Sequence, residues 1–200
     1  MHSTTEALIA WVGPRDPFLP GVVEGTDRAG PVLRMFRGQT FSRVFLLASP
    51  EQEALLEATC AELAAADEDL AVETAVLGTS AASNETAFAG EVLARIRSWQ
   101  ESNGLPGEGE CTILVPGDRF SSSLALLKAT AECRISARYL LERDGAVAGR
   151  HFNSWQPMEN PFQDGEFPGA VQALREPRAK YDAGPAALST AEPQSVPALL

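Results

Sequence analysis

CTILVPGDRFSSS, residues 111–123, sets the β-favouring run Thr112-Ile113-Leu114-Val115 directly against Pro116-Gly117-Asp118-Arg119. An apolar helical pattern then opens from a serine cluster and carries Leu124, Leu127 and Ala131. A short apolar run that ends in a glycine turn and a helix start reads as one βα unit of a parallel sheet. In such sheets ligands sit outside the carboxyl ends of the strands, where helix N-termini leave backbone N–H groups unpaired. A small ligand is therefore expected to touch this loop.

Similar units flank it. Ala7 to Val12 is a continuous apolar run suited to the middle of a sheet, and Gly13-Pro14-Arg15-Asp16-Pro17 stops it. Residues 18–29 read as a long loop with acidic Glu24 and Asp27, followed by a short helix with Pro31 in its first turn. A second strand, Arg43 to Leu47, runs into Ser49-Pro50-Glu51-Gln52, whose Ser and Gln form a capping box. The helix beyond it places Leu55, Leu56, Thr59, Cys60 and Leu63 on one face and ends at Asp67-Glu68-Asp69, a solvated connector. Leu70 to Leu77 alternates as a half-buried strand near a sheet edge does. After the polar loop Gly78 to Asn84, Phe88, Val92, Ile96 and Trp99 step along a helix. Ser83 or Asn84 would cap that helix, and capping explains the loop as well as ligand binding does. Residues 102–110 form a Gly-rich surface turn, and Ala137 to Glu142 reads as a fifth strand.

The pattern predicts an α/β, Rossmann-like, mostly parallel sheet of five to six strands with helices on both faces. The domain is expected to span residues 1–149. Residues 150–200 are expected to be a Pro-rich extension, partly disordered, with Trp155, Phe162 and Phe167 available to pack back onto the domain.

Composition narrows the function. A net charge of −11 argues against a duplex DNA surface, while leaving room for a local site for a small anion. Cys60, Cys111 and Cys133 are odd in number and widely spaced, which points to buried reduced thiols. With His2 and His151 as the only histidines, zinc and Ser-His-Asp chemistry lack material, and no cofactor is expected. There is no GxGxxG or GxxxxGK[ST] phosphate loop, no stretch long and apolar enough to cross a bilayer, and no signal-peptide pattern, so the expected location is the cytoplasm.

Several stretches agree with one family in the order expected of one domain, over roughly residues 6–145. They are Ile9 to Gly13 with Asp16 in its loop, Gly30 to Leu33, Phe41 to Leu47, Leu77 to Phe88, and Leu114 to Gly117 with the strand Ala137 to Leu141. On these the chain resembles the CARF (CRISPR-associated Rossmann fold) domain, most of all the N-terminal sensor module of sigma-54-type RNA-repair operon regulators. It departs from the family at Pro116-Gly117-Asp118-Arg119, where a Ser/Thr-x-Gly-Thr turn is frequent. Aspartate there caps a helix well but repels phosphate, and Arg119 with the hydroxyls of Ser121, Ser122 and Ser123 could compensate.

The resemblance implies a homodimer that binds a cyclic oligonucleotide, such as a cyclic oligoadenylate, or an RNA end, and signals to a separate effector in antiviral defence or RNA repair. Carried over by position, the ligand contacts would be Gly13, Arg15, Asp16, Ser49, Thr79, Ser80, Gly117, Asp118, Arg119 and Ser121. Two other readings stand beside this sensor. One is a metal-independent ring nuclease using Arg119, Ser121, Ser122 and Lys128 for positioning and charge stabilisation. The other is a degenerate scaffold, which Asp118 favours.

Overall fold

The computed structural model describes residues 6–19, 28–82, 84–104, 111–117, 120–147 and 150–163, with backbone alone for 143–147 and 150–154. The first strand, β1 (Ala7–Trp11), is wholly buried, as an unbroken apolar run requires of a central strand. The ends of the expected long loop pair as two short antiparallel strands, β2 (Phe18–Leu19) and β3 (Arg28–Ala29). Helix α1 (Pro31–Gly38) follows with proline in its first turn. Then come β4 (Arg43–Ala48), a 3-10 turn at Pro50–Gln52, α2 (Glu53–Ala66), β5 (Ala71–Val76) and α3 (Glu85–Asn103). The chain continues through β6 (Cys111–Val115), α4 (Phe120–Glu132), β7 (Arg138–Val147) and β8 (Arg150–Met158).

Six strands form one sheet in the order β5-β4-β1-β6-β7-β8, parallel except for β8, which runs antiparallel to β7. Two separate cores lie on its two faces. Ile9, Trp11, Phe45, Ile113, Val115 and Leu141 pack against Phe88, Val92, Ile96 and Trp99 of α3 and against α4. Leu8, Ala10, Val12, Leu46 and Leu140 pack against Val32, Leu33 and Met35 of α1 and Leu56 and Leu63 of α2. Successive residues of each strand point to opposite faces, so one apolar strand feeds both cores. The expected Rossmann-like sheet with helices on both faces is present.

The expected domain boundary at residue 149 falls between β7 and β8, outside the described residues, and the sheet runs on to Met158. Polar His151, Asn153, Ser154 and Gln156 and the interruption at Pro157 hide β8 from pattern reading. A proline is tolerated there because β8 is an edge strand. Within β8 Trp155 packs on one core; beyond it, buried Asn160 donates to the carbonyl of Leu127 at 2.9 Å and Phe162 packs on the other core. Phe167 and the remaining C-terminal residues lie outside the described residues, as do Glu24, Asp27 and most of the 102–110 turn.

The finer readings fare unevenly. Asn84 caps α3 by accepting from the Ala87 N–H at 3.0 Å; Ser83 lies outside the described residues. Ser49 and Gln52 do not form the expected reciprocal cap, since the Ser49 hydroxyl donates to the Gln52 side-chain oxygen at 3.2 Å. The 3-10 turn carries the chain into α2 instead. On α4 the expected face is only partly the buried one: Leu127 is buried, Leu124 and Ala131 are half-buried, and Ser122, Ser123, Ala125, Leu126, Ala129 and Thr130 are buried with Leu127.

Candidate functional site at the switch point of the sheet

From β1 the sheet grows outward through β4 and β5, and on the other side through β6, β7 and β8. The order therefore reverses between β1 and β6, where the outgoing loops diverge and leave a crevice at the carboxyl end. The two loops flanking it are Gly13–Pro17 and the turn opened by Pro116–Gly117. Gly117 is exposed there. Asp118 and Arg119 lie outside the described residues.

The Gly13–Pro17 loop is tied down by its own aspartate. Asp16 is 1% exposed. Its carboxylate accepts from the Gly13 N–H and from the Val32 N–H, both at 3.0 Å. One side chain thus closes its own turn and caps the first turn of α1, where Gly30 supplies no side-chain cap. Burial pushes the Asp16 carboxyl up to about 6, against the opposing pull of the two N–H groups and of Arg15 and Arg34. Gly30 has to be glycine: a Cβ there would collide with the Arg15 carbonyl and the Asp16 side chain.

Arg15 reaches across the end of β6 to Glu142 on β7, with Nη2 2.8 Å from a carboxylate oxygen that is almost wholly buried. Arg34 of α1 approaches the same carboxylate at 4.0 Å and lies over the Trp155 ring, 5.0 Å from its centroid. Sequence reading found Arg15 and Asp16 but not their partners Glu142 and Arg34. Two signals were available: a carboxylate closing the apolar run Tyr139-Leu140-Leu141, and an arginine set between apolar Leu33 and Met35.

The remaining expected contacts are scattered. Ser49 is buried and held by Gln52. Thr79 and Ser80 are half-buried after edge strand β5. Glu91 of α3 clamps that loop, accepting from the Gly78 N–H at 2.7 Å and the Thr79 N–H at 3.0 Å. Arg95 stands 3.7 Å from the same carboxylate. Ser123 is buried and donates to the Pro116 carbonyl, and Ser122 is buried as well. Ser121 and Lys128 line a 420 Å³ groove between α3 and α4 together with Phe88, Leu93 and Leu124. Lys128 sits seven residues from Ser121, about 10 Å along the helix, and pairs with Glu132 at 3.9 Å. Ser121, Ser122 and Lys128 are thus not brought to one point.

Of the loops at this end of the sheet, Gly13–Pro17 has its donors engaged by internal carboxylates, Gly13 by Asp16 and Arg15 by Glu142, and on the separate loop after β5 Gly78 and Thr79 are held by Glu91. Among the described residues, no helix is long and apolar enough to cross a membrane.

No family model matches the chain, and no curated protein does. Among solved structures, the chain is similar to Enterococcus italicus Csm6 bound to cyclic hexa-2'-fluoro-hexa-dAMP, with a TM-score of 0.54 at 12% identity. The match covers 88% of this chain and 39% of that one, so the chain spans about two fifths of the length of Csm6. At that identity the likeness is one of fold alone, the Rossmann-like α/β sheet with helices on both faces.

Proposed function

We propose that the chain is a ligand-sensing CARF-like domain that binds a cyclic oligonucleotide, with cyclic oligoadenylate as the first candidate, at the crevice between β1 and β6. The observation that carries this reading is the switch point itself, on a fold shared with a Csm6 structure that holds a cyclic hexanucleotide analogue. The finer parts of the reading rest on the sequence resemblance: a homodimer with the ligand across its two-fold axis, RNA ends as an alternative ligand, a cytoplasmic setting, and a separate effector in antiviral defence or RNA-repair regulation. Fold alone does not fix function, so the ligand has to be tested directly.

The ring-nuclease alternative loses support from the geometry, because Ser122 is buried and Lys128, in the groove between α3 and α4 with Ser121, pairs with Glu132. The scaffold alternative gains one observation: internal carboxylates already occupy the donors a phosphate would use.

A thermal-shift titration with cyclic tetra- and hexaadenylate, and with RNA ending in a 2′,3′-cyclic phosphate, separates the three. Ligand at a hundred times Kd stabilises by about 2.7 kcal/mol. A rise in Tm with intact ligand recovered supports the sensor. A rise with linear product recovered supports the nuclease. No shift with any of them would sink both and leave the scaffold.

A further inference from the structure

In the register of β7 with β8, Trp155 stands directly opposite Glu142. Residues so opposed in an antiparallel pair share one face of the sheet. The indole therefore lies beside the carboxylate that holds Arg15 of the crevice loop at 2.8 Å. Arg34 of α1 comes to the same carboxylate at 4.0 Å and lies over the indole, 5.0 Å from its centroid. The loop leaving β1, the first helix and the last strand thus converge on Glu142 at the carboxyl end of the sheet. Along the sheet, β8 stands about 12 Å from the switch point, two and a half strand spacings away.

Burial alone does not account for this indole. Trp11 and Trp99 are 4% and 3% exposed, as core tryptophans are, whereas Trp155 packs on the core of the α1 face yet is only half-buried. The Arg34 side chain stacked on it also keeps 32% of its surface exposed. A tryptophan and a guanidinium, held together by cation–π attraction and oriented by one carboxylate, make a half-open flat surface. Nucleic-acid bases stack on both kinds of plane.

We infer that Trp155, with Arg34 stacked on it, receives a base of the oligonucleotide bound at the switch point. The inference rests on the oligonucleotide reading above and adds a base contact to it. The distance from the crevice suits a ligand of several nucleotides, with a phosphate at the crevice loop and a base on the indole. Every base has a π-face, so this contact adds affinity without choosing a sequence.

The test uses the full chain and cyclic hexaadenylate, with affinity measured by calorimetry at several salt concentrations. Trp155→Ala is expected to weaken binding at least fivefold. The slope of log affinity against log salt should stay as in the parent, because no phosphate contact is lost. Trp155→Phe should restore most of the affinity. Since the other two tryptophans are buried, bound ligand should quench the indole emission of the parent and leave that of Trp155→Phe unaltered. An unliganded Tm within about 2 °C of the parent shows that the fold is intact, and the emission test stands even if Trp155→Ala does not fold. Parent-like affinity in folded Trp155→Ala, or parent-like quenching in Trp155→Phe, would overturn the inference while leaving the sensor reading standing. A parent chain that does not bind cyclic hexaadenylate at all would overturn both.

Discussion

Arg15, on the loop that leaves β1, and Glu142, on β7, meet at 2.8 Å across the end of the strand that lies between theirs. Their ion pair is buried, so removing one partner leaves the other charge in a poorly hydrated place. Glu142→Ala is expected to cost about 3–5 kcal/mol, read as a lowered midpoint in urea. Replacing Arg15 and Glu142 together with Met and Gln should cost less than Glu142→Ala alone. A double variant less stable than the single one would show that the pair does not act as a unit.

Asp16 gives the fold a pH dependence of definite sign. Its folded carboxyl is raised to about 6 from 3.8, so the folded state holds the proton more tightly than the unfolded chain. The associated stability is fully present below about pH 3.8 and is lost as pH rises through about 6, a difference of about 3 kcal/mol. Asp16→Asn removes this proton uptake. The stability difference between parent and variant, followed by urea denaturation from pH 4 to 7, should change across that window. A constant difference would mean that Asp16 titrates as an ordinary carboxyl.

Two glycines of one helix should respond in opposite ways to alanine. At Gly30 a Cβ meets the Arg15 backbone and the Asp16 carboxylate, so Gly30→Ala should cost more than about 2 kcal/mol. At Gly38, the last residue of α1, nothing lies within 4 Å of the added carbon. Gly38→Ala should stabilise by about 0.4–1 kcal/mol. Thermal denaturation of the two variants reads both signs.

Glu91 restrains the loop after β5 through two backbone N–H groups. Glu91→Ala should cost about 1–3 kcal/mol and speed amide exchange at Gly78 and Thr79 more than elsewhere. If exchange there stays as slow as in the parent, the carboxylate is not what protects those amides.

The layers of this fold were legible because apolar period and glycine turns report burial directly. Phe88, Val92, Ile96 and Trp99 were read as one face and are all buried, and Val72, Thr74 and Val76 were read as a strand near an edge, where β5 lies. The last strand was not legible, because an edge ribbon with polar residues and a proline has no apolar period to detect. The site was legible only by loop. Arg15 and Asp16 were placed at the right end of the sheet, but a charged side chain's role depends on partners distant in sequence, and Glu142 is 127 residues from Arg15. Ser122 and Ser123 illustrate the reverse: hydroxyls that looked available to a ligand face inward, where the Ser123 hydroxyl satisfies the Pro116 carbonyl.

The two margins of the sheet bear on how copies of this chain can associate. A bare strand margin is a template for adding foreign strands without limit. Here one margin, β5, carries Glu73 in mid-strand, accepting from Asn103 at 2.7 Å, and the other, β8, contains Pro157, which has no N–H to offer. Charge and proline are both features that discourage open-ended stacking of sheets. Fibrous growth is thereby opposed at both margins of the sheet.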